Sequence, residues 1–385
     1  MSIYTNFNHF SSIDTPFYYY DIELLQKTIK TAKEALGNGP YQIHYALKAN
    51  PNRRIIDEVL KFGLGADCVS GNEVNRAIEQ GFDPKNILFA GVGKTDKEIN
   101  LGIKHDIFGF NVESLEELKV LEQLSKISGK KTRFALRINP NIDAGTHEYI
   151  TTGKRDNKFG IALEELSQAI YLIKSLEHTE FIGIHFHIGS QIIDLSRFKE
   201  LVDRCNEVQG LLLDHSFELP HINVGGGLGI NYDQPDKNSI ADFKGYFNCF
   251  KKNLVRLPNQ TLHFELGRSL VAQCGSLIAR VLYIKPAEKT SFMILDAGMT
   301  ELIRPALYRS FHLIQNLSSQ EDLEVYDVVG PICETSDAFA RGLSLPKTKR
   351  GDLLVIRSAG AYGEAMASQY NLRKAAPCIF SDDFK

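Results

Sequence analysis

The chain has 385 residues, 43% of them hydrophobic, and a formal net charge of -3 at pH 7. That length supports a large core split between two domains, and the weak charge excludes a nucleic acid or another polyanion as partner. The first ten residues carry no basic stretch followed by an apolar core, and no window reaches the roughly 18 apolar residues that span a bilayer. A soluble, cytoplasmic protein without membrane contact is expected.

Residues 41–47 form a run of aromatic and β-branched residues and predict the first strand, which Asn50-Pro51 ends in a turn. Lys48 therefore projects from a strand end. An amine partly desolvated there is expected to lose its proton readily and to serve as the nucleophile of a Schiff base with an aldehyde. Further strand-like runs follow at 64–69, 86–90, 107–112, 132–138, 181–188, 221–224 and 262–265, which brings the total to eight. Between them lie helical patterns with start signals: Ser70 with Glu73, Thr95 with Glu98, and Ser114 with Glu117 have capping-box spacing, and Gly81 and Gly129 mark helix ends. Leu115, Leu118, Leu121 and Leu124 keep one apolar face. Eight alternations predict an α/β protein with a (β/α)8 barrel, although an open doubly wound sheet shares the local pattern. Residues 139–158 are unpatterned and too long for an ordinary βα loop, as an active-site lid would be. Beyond Glu265 the runs 277–284, 292–295, 324–329 and 353–358 are separated by Pro, Gly and Asp, which predicts a second, mainly β domain.

The six cysteines (Cys68, Cys205, Cys249, Cys274, Cys333 and Cys378) show no CxxC spacing and no disulfide density, so most read as buried fillers and no metal is expected. The chemically unusual residues follow the predicted strands instead. His187 comes after the sixth, Gly225-Gly226-Gly227 after the seventh, and Glu265 with Gly267-Arg268 at the eighth. C-terminal strand ends are where a barrel builds its site, and a glycine run after strand seven lets backbone approach an anion, so a phosphorylated ligand is implied.

The segments YALKAN, HFHIGSQ, NVGGGLG, ELGR, RPALY, CETSD and GAYGEAMASQYN occur in that order. On these seven motifs, spread over residues 15–371, the chain resembles the pyridoxal-phosphate-dependent diaminopimelate decarboxylases of the alanine-racemase-like fold group. The resemblance implies a (β/α)8 barrel over 26–270, a β-rich domain from 1–25 plus 271–385, and a homodimer with shared active sites. It implies pyridoxal 5'-phosphate as cofactor and diaminopimelate as substrate, decarboxylated to L-lysine and CO2.

Residue by residue, Lys48 resembles the Schiff-base lysine and His187 the imidazole stacked on the cofactor ring. Ser190, Gly225, Gly226, Gly227, Gly267 and Arg268 resemble the phosphate cradle, and Glu265 the carboxylate facing the pyridine nitrogen. A carboxylate there keeps the ring protonated, so that the cofactor accepts the electrons left by CO2. His185, two residues before His187 and on the same strand face, reads either as part of the site or as packing beside it. Arg268, Arg304 and Tyr308 resemble substrate-carboxylate contacts, for which the arginine fork is suited. Glu334 resembles the group recognising the distal amine, Cys333 the thiol that reprotonates the substrate carbon in the neighbouring subunit's site, and Tyr362 a tyrosine near cofactor and substrate.

Three departures from the family pattern stand out. Leu266 replaces a proline before Gly267, Thr335-Ser336 replaces a Ser-Gly pair, and Lys374-Ala375-Ala376-Pro377 replaces a Pro-rich tail. At Leu266 changed loop stiffness rather than changed chemistry is expected, Thr335-Ser336 is expected to fill the site edge slightly, and the altered tail bears on the last turn rather than on the activity. The alternatives are a decarboxylase of another basic amino acid, a racemase, and a catalytically inactive regulatory binder. Residues 139–160 resemble the diaminopimelate enzymes closely and the ornithine or arginine enzymes poorly. Glu265 opposes racemase chemistry, and a binder has no need of Lys48, Glu265 and Cys333 together.

Overall fold

The structure is a computed structural model that describes residues 3–143 and 157–384. Most of the unpatterned stretch at 139–158 lies outside the described residues. The chain forms two compact units, one comprising Ile29–Gly229 and Asp242–Gly267, the other Met1–Thr28, Ile230–Ala241 and Arg268–Lys385.

Strand β1 (Phe17–Tyr20) belongs to the second unit, and the next eight strands build the first. These are β2 (Tyr41–Ala46), β3 (Gly65–Cys68), β4 (Ile87–Phe89), β5 (Gly109–Val112), β6 (Thr132–Arg137), β7 (Thr179–His185), β8 (His221–Asn223) and β9 (Thr261–Leu266). They pair in sequence order, all parallel, and β2 closes on β9 through Tyr41↔Leu262 to Tyr45↔Leu266. The closed (β/α)8 barrel, rather than the open sheet, is therefore the solution. Its helices begin where the capping signals lie: Ser70, Thr95 and Ser114 each accept the backbone N–H three residues on. Only Thr95 forms the reciprocal box; Glu73 and Glu117 reach one residue further back, to the N–H groups of Val69 and Glu113. Gly81 (φ 97°) and Gly129 (φ 67°) end their helices in the left-handed conformation, where a side chain would be strained.

The second unit is built on an eight-stranded sheet of β1, β10 (Gly275–Lys285), β11 (Ser291–Leu295), β12 (Ile314–Asn316), β13 (Leu323–Val329), β14 (Ala338–Pro346), β15 (Leu353–Ile356) and β16 (Cys378–Phe380). A register shift between Val281 and Tyr283 divides β10, whose first half pairs with β1 and β15 and whose second half pairs with β11. The altered tail enters this sheet: Pro377 O accepts from Tyr18 N at 2.8 Å, and β16 runs parallel to β1. Segment Ile230–Ala241, which the sequence assigned to the barrel, groups with the β-rich unit because Gln273 donates to Asn231 O and Asn238 O, and Arg357 pairs with Asp236.

Three histidines lie hydrogen-bonded inside the barrel. His44 Nδ1 faces Asn86 O at 3.2 Å, His44 Nε2 faces His263 Nδ1 at 2.9 Å, and His263 Nε2 faces His221 Nδ1 at 3.0 Å. A carbonyl can only accept, so the proton of His44 sits on Nδ1. Its Nε2 must then accept, and the same reasoning places the protons of His263 and His221 on Nδ1. Gly65 makes room for this array, since a Cβ there would stand 2.5 Å from His44 Nδ1. Burial lowers all three: His44 and His221 fall from 6.5 to about 4, and His263 lies well below its ordinary value. The Glu265 charge opposes the shift in His44 and His263, and Arg133 reinforces it in His221.

Because these folded-state values are depressed, the unfolded chain takes up protons first as pH falls. The stability from the neutral array is fully present above about pH 6.5 and is lost towards about pH 4, at about 1.4 kcal/mol per pH unit for each deeply buried ring and less for the part-exposed His221. Urea unfolding across this range is expected to show that loss, and imidazole 15N shifts at about pH 5.5 are expected to show three neutral rings in the folded protein. Three imidazolium signatures there would contradict the assignment.

Candidate active site

The turn after β2 is held by asparagine side chains. Leu47–Ala49 form a single 3-10 turn; Asn50 Oδ1 accepts from Asn52 N at 3.0 Å, and Asn52 caps the next helix through Arg54 N at 3.1 Å. Tyr45 Oη donates to Asn50 O at 2.9 Å. This turn carries Lys48, whose Nζ lies 3.6 Å from Asp67 Oδ2 on β3. The Lys48 side chain is 39% exposed and Asp67 1% exposed, so the desolvation anticipated for the amine is partial and a buried carboxylate stands beside it. Burial, then the Glu265 charge, raises the Asp67 pKa against the pull of Lys48. Apart from that ion pair, both Asp67 oxygens lack a hydrogen-bond partner among the described residues.

Glu265, the penultimate residue of β9, is buried. Its Oε1 accepts from Asn223 Nδ2 at 2.7 Å and from Asn111 Nδ2 at 3.2 Å, and its Oε2 lies 3.2 Å from His185 Nε2. Burial pushes the carboxyl upward, but His185, His187 and Lys48 outweigh it and hold Glu265 well below the usual carboxylate range. His185 is thus a partner of Glu265 and not merely packing.

Asn223 also accepts from Gly225 N at 2.9 Å, which ties Glu265 to the glycine turn. Gly225 (φ 68°) and Gly227 (φ 104°) adopt backbone that disfavours side chains, and a Cβ on Gly226 would stand 1.8 Å from Glu265 O. Gly226 N donates to His187 Nδ1 at 3.3 Å, so the proton of the neutral ring is on Nε2. Burial, then the Arg137 and Lys48 charges, lowers the His187 pKa well below its ordinary value. Ser190 lies in the loop that runs beside the glycine turn, where Ile192 N donates to Gly227 O at 2.9 Å. Gly267 abuts the lysine turn, because a Cβ there would stand 2.9 Å from Ala49 Cβ. Leu266, in place of the proline, continues β9 opposite Tyr45. The barrel unit therefore brings Lys48, His187, Ser190, the three glycines, Glu265 and Gly267 to one end of the strands.

The β-rich unit holds the remaining residues. Arg268 Nη1 and Arg304 Nη1 both donate to Tyr232 Oη, at 2.7 and 2.9 Å, and the Arg268 guanidinium lies 4.9 Å from the Tyr362 ring centre. Tyr308 ends the short helix that begins at Arg304. Cys333 and Glu334 lie between β13 and β14. Both are exposed; Cys333 N donates to Asn371 Oδ1 at 3.2 Å, and Glu334 Oε1 accepts from Tyr370 Oη at 2.7 Å. Sequence reasoning missed Asp67, Asn111, Asn223 and Tyr232. The first three had a usable signal, a polar residue within a barrel strand buried on both faces; Tyr232, in a loop, had none.

A primary amine on a fixed turn, a buried carboxylate held ionised, and a positive-φ glycine turn beside them suit an aldehyde-bearing, phosphorylated pyridine. The donor set thus fits pyridoxal phosphate, and the barrel and site together define a pyridoxal-dependent decarboxylase. The profile of that family's pyridoxal-binding domain matches residues 22–272. The chain is 50% identical to the diaminopimelate decarboxylase of Bacteroides thetaiotaomicron over 375 residues, 97% of each chain, and 40% identical to that of Helicobacter pylori over 98% of this chain and 92% of the relative. The crystal structure of a point mutant of the H. pylori enzyme complexed with L-lysine superimposes with a TM-score of 0.92 at 38% identity, covering 98% of this chain and 94% of that one. The chain belongs to the diaminopimelate decarboxylase family.

Proposed function

We propose that the chain decarboxylates meso-2,6-diaminopimelate to L-lysine and CO2, the last step of lysine biosynthesis, with pyridoxal 5'-phosphate held by Lys48. The observation that carries this reading is the buried, ionised Glu265 in a chain aligned over 97% of its length with a diaminopimelate decarboxylase. When bound, the cofactor supplies an electron sink for the pair left on carbon as CO2 departs.

The residues of the chain do the rest. Lys48 Nζ would hold the cofactor covalently, at the position where the substrate amine reacts. Glu265, fixed by two amide donors and His185, would accept a hydrogen bond from the pyridine nitrogen and keep it protonated. His187 would pack on the ring, while Ser190, Gly225, Gly226, Gly227, Gly267 and Arg268 would hold the phosphate. Arg268, Arg304, Tyr308 and Tyr362 contact the substrate. Reduction of the purified holoenzyme with borohydride is expected to add the cofactor's mass at Lys48, and the enzyme is expected to release CO2 from diaminopimelate but not from ornithine or arginine. Turnover of those amino acids in preference to diaminopimelate would overturn the substrate.

A homodimer completes the site in this reading, with Cys333 and Glu334 reaching the partner's Lys48. Cys333 Sγ returns a proton to the carbon that has lost CO2, and Glu334 receives the distal ammonium. The exposure of both residues supports this. Mixing Lys48→Ala and Cys333→Ala subunits is then expected to restore activity, because one site of each mixed dimer holds both intact residues. The ceiling is about half the wild-type rate per mixed dimer, or about a quarter overall after random exchange in equal amounts. Subunits that exchange and recover nothing would refute the shared site. A cytoplasmic location fits the six unbridged cysteines.

A further inference from the structure

Tyr232 links two arginines that lie 36 residues apart in the chain, and its hydrogen bonding bears on how one of them meets substrate. The phenolic oxygen has two lone pairs, and both are taken, by Arg268 Nη1 at 2.7 Å and by Arg304 Nη1 at 2.9 Å. Arg304 Nη1 carries two hydrogens. The second goes to His312 Nε2 at 2.9 Å. His312 can accept there because its Nδ1 donates to Arg357 O at 2.8 Å, which fixes the tautomer, and because burial, then the Arg304 charge, lowers its pKa from 6.5 to about 3. The rings of Tyr232 and His312 pack edge to face at 5.1 Å, so the two acceptors support each other.

Nη1 of Arg304 is therefore saturated by protein. Its Nε is buried and has no acceptor among the described residues, although Arg304 as a whole is only 3% exposed. An unpaired guanidinium N–H in such a place calls for an acceptor beyond the described residues. We propose that Tyr232 is a positioning residue for substrate: together with His312 it takes both Nη1 hydrogens of Arg304 and so leaves the Nε edge for a substrate carboxylate. This rests on the reading of Arg304 as a substrate contact.

Chemistry selects which carboxylate. A carboxylate that leaves as CO2 loses its charge in the transition state, so an ion pair with buried guanidinium would stabilise the ground state more and slow the reaction. The carboxylate facing Arg304 is the one retained in the product. Tyr232 also offsets the repulsion between the two guanidiniums, whose charges pull its own pKa down against the upward push of burial.

Tyr232→Phe keeps the ring and removes the oxygen. The holoenzyme is expected to show a KM for diaminopimelate raised about tenfold or more, with a much smaller change in kcat. Inhibition by L-lysine, which has the retained carboxylate, should weaken by a similar factor, whereas inhibition by 1,5-diaminopentane, which has none, should not change. In an Arg304→Lys background the Tyr232→Phe effect on L-lysine should vanish, since the tyrosine acts through the arginine. If Arg304→Lys weakens L-lysine but Tyr232→Phe does not, or if both inhibitors weaken alike, the positioning role is overturned. If Arg304→Lys leaves L-lysine unaffected, the substrate reading of Arg304 fails and takes the proposal with it. Should Tyr232→Phe not fold, His312→Leu removes the other Nη1 acceptor and is expected to reproduce the same split between the two inhibitors; an unchanged L-lysine response would overturn the proposal.

Discussion

Lys48→Ala is expected to give a folded protein with no covalently attached cofactor and with decarboxylation reduced by at least about a thousandfold. The fold should survive because the turn does not depend on the lysine: Asn50 and Asn52 fix it through backbone bonds, and Tyr45 braces it. The group that feels the change most directly is Asp67, a buried carboxylate that forms an ion pair with Lys48. Burial already raises its pKa, so loss of the ammonium is met by protonation rather than by a stranded charge. Borohydride reduction followed by peptide mass analysis, together with a thermal melt and a CO2 assay, checks all three statements. Near-normal turnover with cofactor still reducible onto the variant would remove Lys48 from the mechanism.

The sequence made the barrel legible because its two signals are local. Parallel strands buried on both faces read as short apolar runs, and the intervening helices announce themselves at Ser70, Thr95 and Ser114, whose side chains need only a backbone N–H three residues away. The ends of β7 were less legible. The expected run was 181–188, but the strand covers Thr179–His185; Phe186, whose N–H still donates to Asn223 O at 2.8 Å, and Ile188 are buried beyond it, and burial past the strand end looks the same in sequence. Strands β12, β14 and β16 were not anticipated from residue pattern. β12 and β16 span three residues each, and β14 alternates weakly and ends in proline, so their existence depends on partners such as β15, β13 and β1.

The catalytic candidates divide along the same line. Lys48, the glycine run and Glu265 sit at strand ends, where position alone suggests chemistry. The residues that tune them are distributed. Glu265 draws its donors from β5, β7 and β8, and Tyr232 joins residues near 232, 268, 304 and 312, which no local window contains. Lys48 shows the limit of argument from strand ends: the position is as expected, but its neighbour Asp67 comes from β3 and its side chain stays 39% exposed.

Glu265→Gln is expected to lower decarboxylation by about a hundredfold or more while changing cofactor affinity only a few-fold. The direction follows from the donors around the carboxylate. Oε1 receives two amide hydrogens, from Asn223 and Asn111, so the glutamine NH2 group cannot take that position without meeting like donors. It must instead turn towards His185 Nε2. That imidazole can adapt, because its Nδ1 has no partner among the described residues and can carry the proton once Nε2 becomes an acceptor. The variant therefore keeps a satisfied hydrogen-bond network, the tie from Asn223 to Gly225 N, and with it the glycine turn. What it loses is the negative charge that holds a proton on the pyridine nitrogen, and the transition state depends on that proton far more than the ground state does. Single-turnover CO2 release, measured beside cofactor titration of the apoprotein, separates the two effects. Equal losses in rate and in cofactor affinity would assign Glu265 to the architecture of the barrel mouth instead of to the chemistry.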